Sequence, residues 1–256
     1  MLIRTLANAG VRRVFTVSGN HIMPVFDAAL DGGIELIHAR HEAAAVHMAD
    51  AASRISGEVG VALVTGGPGH ANAVSALYTA QMAEAPMLLL SGHAPIRELG
   101  MGAFQEMRQA DIAAPVTNAA WTCSGADAVA SDIGRAVRVA QSGRPGPVHV
   151  SLPSEALESD VSSTFVPTTA DLGASPTPLD AQIGDALIGR LRAASRPIIV
   201  AGPTALTRRG RALTAALEDA TGIPVVGMES PRGMTDPSLG AFAEMLAQSD
   251  CVLLIG

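Results

Sequence analysis

The sequence predicts an α/β protein made of two doubly wound parallel-sheet domains, the second of them incomplete. Short apolar runs alternate with stretches of helical periodicity, as in residues 59–64 followed by 69–83, which is the pattern of a parallel sheet covered on both faces. Hydrophobic residues make up 48% of the chain and aromatics 3%, so the core must be assembled from Ala, Val, Leu, Ile and Met, which suits close helix-on-sheet packing. A Ser-, Thr-, Pro- and Asp-rich stretch over 156–178 interrupts the alternation and reads as a linker between domains at 1–155 and 179–256.

Local signals justify each element in turn. A helix-like segment opens at Met1. Residues 14–17 read as a strand, and 22–30 as a helix stopped by Gly32-Gly33. Strand 35–38 leads into helix 42–56, ended by Gly57. Strand 59–64, helix 69–83, strand 86–91, an amphipathic helix over 126–141 and strand 148–152 complete the first alternation. The second runs helix 179–194, strand 198–201, helix 208–221, strand 224–226, helix 241–248 and strand 251–255, stopping where a βα loop is due.

Composition excludes several function classes. The net charge of −7 argues against a nucleic-acid partner. All 17 basic residues are Arg, so a phosphate loop with its lysine and a Schiff-base lysine are both ruled out. Cys123 and Cys251 form no C-x-x-C, which speaks against a zinc site or disulfide framework and fits a reducing, cytoplasmic compartment. No apolar run reaches the ~18 residues of a membrane span, and no leader pattern opens the chain.

Three stretches carry chemistry. Arg40-His41-Glu42 opens an Ala-rich helix directly after strand 35–38. A first-turn Glu complements the helix dipole whatever its function. Glu42 also lies at the carboxyl end of a parallel strand, where ligands bind, and the small residues after it leave room beside its carboxylate. His41 and His47 are separated by about 240° at ~100° per helical residue, so they cannot share a face as a zinc-binding pair would. No metal site is expected, and His41 is the one placed to reach the site. Thr65-Gly66-Gly67-Pro68-Gly69 joins a buried strand to a helix, with Gly for unusual dihedrals and Pro at the helix start. It lacks the further residues of a phosphate cradle. Ala103-Phe104-Gln105-Glu106 follows Gly100-Met101-Gly102 and by itself reads as a loop entering a helix.

Taken in order, R-H-E, then G-P-G-x-x-N ending at Asn72, then F-Q-E, the chain resembles thiamine-diphosphate enzymes of the acetolactate-synthase type. The resemblance covers their pyrimidine-binding domain over 1–155 and part of their central domain over 179–256. It implies that Glu42 bonds N1′ of the cofactor aminopyrimidine and so promotes the ylid that attacks substrate. It implies that Gly19, His41, Thr65, Gly67, Pro68, Asn72 and Phe104 surround the cofactor, with Gln105 beside its reactive carbon and the substrate. The family holds diphosphate and Mg2+ with a Gly-Asp-Gly motif followed by Asn, which this sequence lacks. Mg2+ is therefore expected only with a pyrophosphate domain outside this chain.

The expected function is the N-terminal part of an enzyme that forms or cleaves C–C bonds in 2-oxo acid or acyl-CoA substrates, inactive as an isolated chain and homo-oligomeric when whole. The alternative is a non-catalytic or half-site subunit whose partner chain carries the pyrophosphate domain. A nucleotide-binding α/β protein with chance matches ranks last. Departures from the family pattern are Ser18 for Pro before Gly19, Asn118 for a common Lys, and Pro203 for Gly. The last leaves FAD binding open, and together they leave the substrate open.

Overall fold

The computed structural model describes residues 1–173, 178–229, 233 and 236–256. The chain divides into two compact units, Met1–Ala174 and Ser175–Gly256.

In the first unit six strands form one parallel sheet: β1 (Arg13–Thr16), β2 (Glu35–His38), β3 (Gly60–Val64), β4 (Met87–His93), β5 (Ala119–Thr122) and β6 (Pro147–Pro153), in the order β2-β1-β3-β4-β6-β5. β3, β4 and β6 are buried along their whole length, which explains their unbroken apolar character. Side chains alternate between two cores. Val61, Leu63, Leu88, Leu90, Val148 and Val150 face the core covered by α1 (Leu2–Asn8), α2 (Met23–Gly32) and α6 (Val129–Gln141). Ala62, Val64, Met87 and Leu89 face the other, covered by α3 (Glu42–Ser56), α4 (Pro68–Met82) and the short α5 (Gln109–Ala113). The helices on this second face pack through Ala45, Ala49, Ala73, Ala76 and Ala80, so small side chains bring them close to the sheet.

Chain order reverses direction between β1 and β3: β1 leads outward to β2, while β3 leads the other way to β4. Such a switch point opens a crevice at the carboxyl ends of the strands. The loops after β1, β2 and β3 all emerge there.

After α7 (Ser154–Glu158), much of the segment read as a linker is fastened to the first unit. Asp127 accepts from the backbone N–H groups of Ser162 and Ser163, Asn8 donates to the Pro167 carbonyl, and Gln141 donates to that of Leu172. A capping box between Thr168 and Asp171 starts α8 (Thr169–Leu172), which buries Leu172. Residues 174–177 of the expected linker lie outside the described residues.

In the second unit β7 (Pro197–Ala201), β8 (Val225–Gly227) and β9 (Cys251–Ile255) form a parallel sheet ordered β8-β7-β9, accompanied by α9 (Ala181–Ala193), α10 (Arg208–Thr221) and α11 (Phe242–Gln248). Asp180 caps α9 by accepting from Gln182 and Ile183. Pro203 enters a 3-10 turn directly after β7. No helix among the described residues is long and apolar enough to cross a membrane.

Candidate functional site

The crevice at the switch point is built from turns whose glycines lie close against side chains of the facing turns. After β1, a Cβ at Gly19 would clash with Thr65 after β3, so only glycine lets these loops meet. Gly67 adopts φ +59, a conformation that disfavours L side chains, and a Cβ there would lie 2.7 Å from Cβ of Gln105. Pro68 follows at the first turn of α4, exposed, with its φ already suited to the helix. Gly69 is buried, and a Cβ on it would come within 3.4 Å of Oε1 of Glu42.

Glu42 occupies the first turn of α3 and is half-buried. Asn72, on the first turns of α4, donates from Nδ2 to Glu42 Oε2 at 3.0 Å. No donor among the described residues reaches Oε1, which lies beside the Gly69 backbone. His41 caps α3: its Nδ1 accepts from the Ala43 N–H at 3.1 Å. The ring is exposed.

Gln105 is half-buried and itself holds φ +57, seated over Gly67. The F-Q-E stretch is not the opening of a helix; α5 begins only at Gln109. Instead Glu106 folds back and accepts from the backbone N–H groups of Gly100 and Ala103, closing a loop that presents Phe104 and Gln105. Phe104 is 66% exposed, with its ring 5.9 Å from that of His21.

The structure thus brings Gly19, Glu42, Thr65, Gly67, Gly69, Asn72 and Gln105 into one continuous surface, with His41, Pro68 and Phe104 at its margin. Two residues that sequence reasoning missed support this surface from beneath. His21 lies two positions after Gly19, with Nδ1 3.3 Å from Thr65 Oγ1. Burial lowers its pKa, and nearby His93 adds to this against an opposing hydrogen bond to the Phe104 backbone. Gln109 is buried and its amide touches the Gly67 turn directly.

Behind the turn lie two more buried histidines, His70 and His149, with ring centroids 4.5 Å apart. Burial pushes the pKa of His70 down to about 4 and that of His149 well below its usual value, so both rings are neutral. On the far side of the Gln105 loop an open cleft of about 950 Å³ is lined by His93, Leu99, Glu106, Gln109, Thr122 and Cys123, among others. Burial pushes the Cys123 thiol up to about 12, which leaves it protonated and unreactive. Among the described residues no group of three or more His, Cys, Asp or Glu side chains could hold a metal ion.

Comparison with known proteins gives the family of the region that carries this surface. Residues 1–112 match the model of the thiamine pyrophosphate enzyme N-terminal TPP-binding domain. The chain is also 36% identical over 238 residues to the acetolactate synthase isozyme 3 large subunit of Escherichia coli, covering 88% of this chain and 40% of that one. This is an N-terminal thiamine-diphosphate-enzyme region of the acetolactate-synthase type. Further relatives of this region are a probable acetolactate synthase of Mycobacterium bovis, 33% identical across all of this chain and 48% of its own, and 2-hydroxyacyl-CoA lyase 2 of Danio rerio, 42% identical over 59% of this chain and 24% of its own. The chain spans under half the length of these relatives. The matched family region, 1–112, contains every residue of the surface described above.

Proposed function

We propose that this chain supplies the aminopyrimidine-binding half of a thiamine-diphosphate-dependent enzyme that makes or breaks a C–C bond next to a 2-oxo or acyl carbon. The observation that carries the reading is the Glu42 carboxylate. Asn72 orients it through Oε2, while Oε1 lies beside Gly69, where a Cβ would touch it at 3.4 Å and clash with Thr65 Cγ2 at 2.8 Å. That cradle fits the edge of a flat heteroaromatic ring. When bound, thiamine diphosphate supplies the nucleophilic carbon.

This chain's own residues then have distinct tasks. Glu42 would hold a proton at Oε1 toward the bound ring, through a charge-assisted hydrogen bond. Asn72 keeps the carboxylate in one rotamer. Gly19, Thr65, Gly67 and Pro68 form the wall, with His41 fixing the start of α3. Phe104 and Gln105 stand at the substrate side, where they would meet a 2-oxo acid or the acyl end of an acyl-CoA, with Gln105 seated over the Gly67 turn. In this reading Mg2+ and the diphosphate are held by a pyrophosphate domain outside this chain, from the same polypeptide or from another. The isolated chain is then inactive, and the working form is a homo-oligomer. FAD remains outside the proposal, because Pro203 occupies the turn after β7 where close backbone approach to a dinucleotide would call for glycine. The two unpaired cysteines support a cytoplasmic setting.

The test is turnover by the protein at its natural length, with thiamine diphosphate and Mg2+. Glu42→Gln is expected to lower kcat by about 10²-fold or more while the fold persists. Undiminished turnover would remove Glu42 from the chemistry.

A further inference from the structure

The least expected side chain in the site is Gln109. It is 1% exposed, and every polar atom of its amide is in use. Oε1 accepts the Gly67 N–H at 3.0 Å. Nε2 donates to the Gly92 carbonyl at the end of β4 and to Ser151 Oγ on β6, both at 3.1 Å. These bonds fix which end of the amide is oxygen, since Gly67 can only donate and Gly92 only accept. The network continues inward with a single consistent polarity. His149 donates from Nδ1 to the Leu89 carbonyl at 3.0 Å, so its Nε2 accepts from Ser151 Oγ at 2.9 Å. That hydroxyl, having given its proton, accepts from Gln109. A neutral His149 is what this arrangement requires.

The outer end of the network meets the site. Gly67 carries the positive φ of the turn, with Gln105 packed against its open side. One face of Gly67 is therefore tied to β4 and β6 through Gln109, and the other is covered by Gln105. Three residues of chain, Glu106, Met107 and Arg108, connect Gln105 to Gln109, so the same clamp anchors the end of the loop that presents Phe104 and Gln105.

We propose that Gln109 is a positioning residue, which sets the Gly66–Gly67 turn and the Gln105 loop at a fixed separation by binding both to the central strands of the sheet. It touches neither cofactor nor substrate and acts through Gly67 and Gln105. The functional meaning rests on the reading of those two as cofactor- and substrate-facing.

Two substitutions separate this role from plain filling of space. Gln109→Met keeps volume and removes all the bonds. Gln109→Glu, neutral at this buried position, keeps one acceptor and one donor. Amide-resolved hydrogen exchange of the chain, without ligand, reads the result. Gln109→Met is expected to speed exchange at Gly67 and across residues 99–108 by about tenfold, with β3 and β4 amides unchanged, and Gln109→Glu to restore most of the protection. Retained protection in the Met variant, uniform acceleration through the sheet, or a Glu variant no better than Met would each overturn the proposal. Failure of the cofactor reading registers separately, as wild-type protein at its natural length that does not bind thiamine diphosphate with Mg2+.

Discussion

The two sheets of this chain meet the same packing demand to different extents. In the first unit β3, β4 and β6 are buried from end to end, with helices on both faces. In the second, β9 alternates between half-buried and exposed positions, and Leu254 is 74% exposed. Among the described residues there, the buried core cluster is Leu191, Ile199 and Ile223, with Ile198, Ala201 and Phe242 also buried. Gly67 and Gln105 of the candidate site belong to turns that follow two of the first unit's buried strands, β3 and β4. Turns rising from β1, β3 and β4 inherit the rigidity of a core packed on both sides, which a cradle closed by glycine backbones needs in order to hold its shape.

The largest expected effect tests that contrast directly. Leu89→Ala, in the middle of β4, is expected to destabilise the first unit by about 2–5 kcal/mol, whereas Leu254→Ala should cost the second less than about 0.5 kcal/mol. Denaturant unfolding followed separately in the two units measures both, and equal costs would erase the distinction.

Acid titration sharpens it. All seven histidines lie in the first unit. His70 has a folded pKa of about 4 against an ordinary 6.5, because burial disfavours its charged form. The unfolded state therefore binds its proton first. Stability is fully present above pH 6.5 and is lost as pH falls through about 4, by about 3 kcal/mol in total at 1.4 kcal/mol per unit. His149 shifts the same way. Stability of the first unit measured between pH 7 and 4 should fall, and His70→Gln should flatten the slope.

Smaller effects should appear at the surface. Asp180→Ala removes the cap of α9 and is expected to cost the second unit about 1 kcal/mol in thermal or chemical unfolding. Arg13→Ala breaks a 3.2 Å pair with Glu35 whose two side chains are both well exposed. Its effect on the first unit should stay within about 0.5 kcal/mol. A larger loss there would mean that the edge of the sheet, and not only its centre, carries stability.

Much of this organisation was legible in the residues. Helix α3 matches residues 42–56, because a first-turn Glu, an Ala-rich face and Gly57 in the left-handed conformation mark both of its ends. The buried strands β3 and β4 announced themselves as apolar runs. β5 did not: Ala119–Thr122 is a half-buried edge strand of four residues, held by its register with β6 rather than by any pattern of its own. The same holds in the site. Glu42, Asn72 and the Gly-Pro-Gly turn stand out by residue type and order. Gln109 sits between Arg108 and Ala110 in a stretch without periodicity, and its burial is created by strands 17 and 42 residues away along the chain. The helix expected at F-Q-E was displaced to Gln109 because Glu106 satisfies loop N–H groups instead of a helix start.

The central claim is that the glycine-walled face beside Glu42 receives the aminopyrimidine. The most direct test is the structure of the protein at its natural length with thiamine diphosphate and Mg2+ bound. A ring nitrogen is expected within hydrogen-bond distance, about 2.7–3.2 Å, of Glu42 Oε1, with the ring against the Gly67–Gly69 backbone. A cofactor bound elsewhere, with Glu42 still open to solvent, would contradict it.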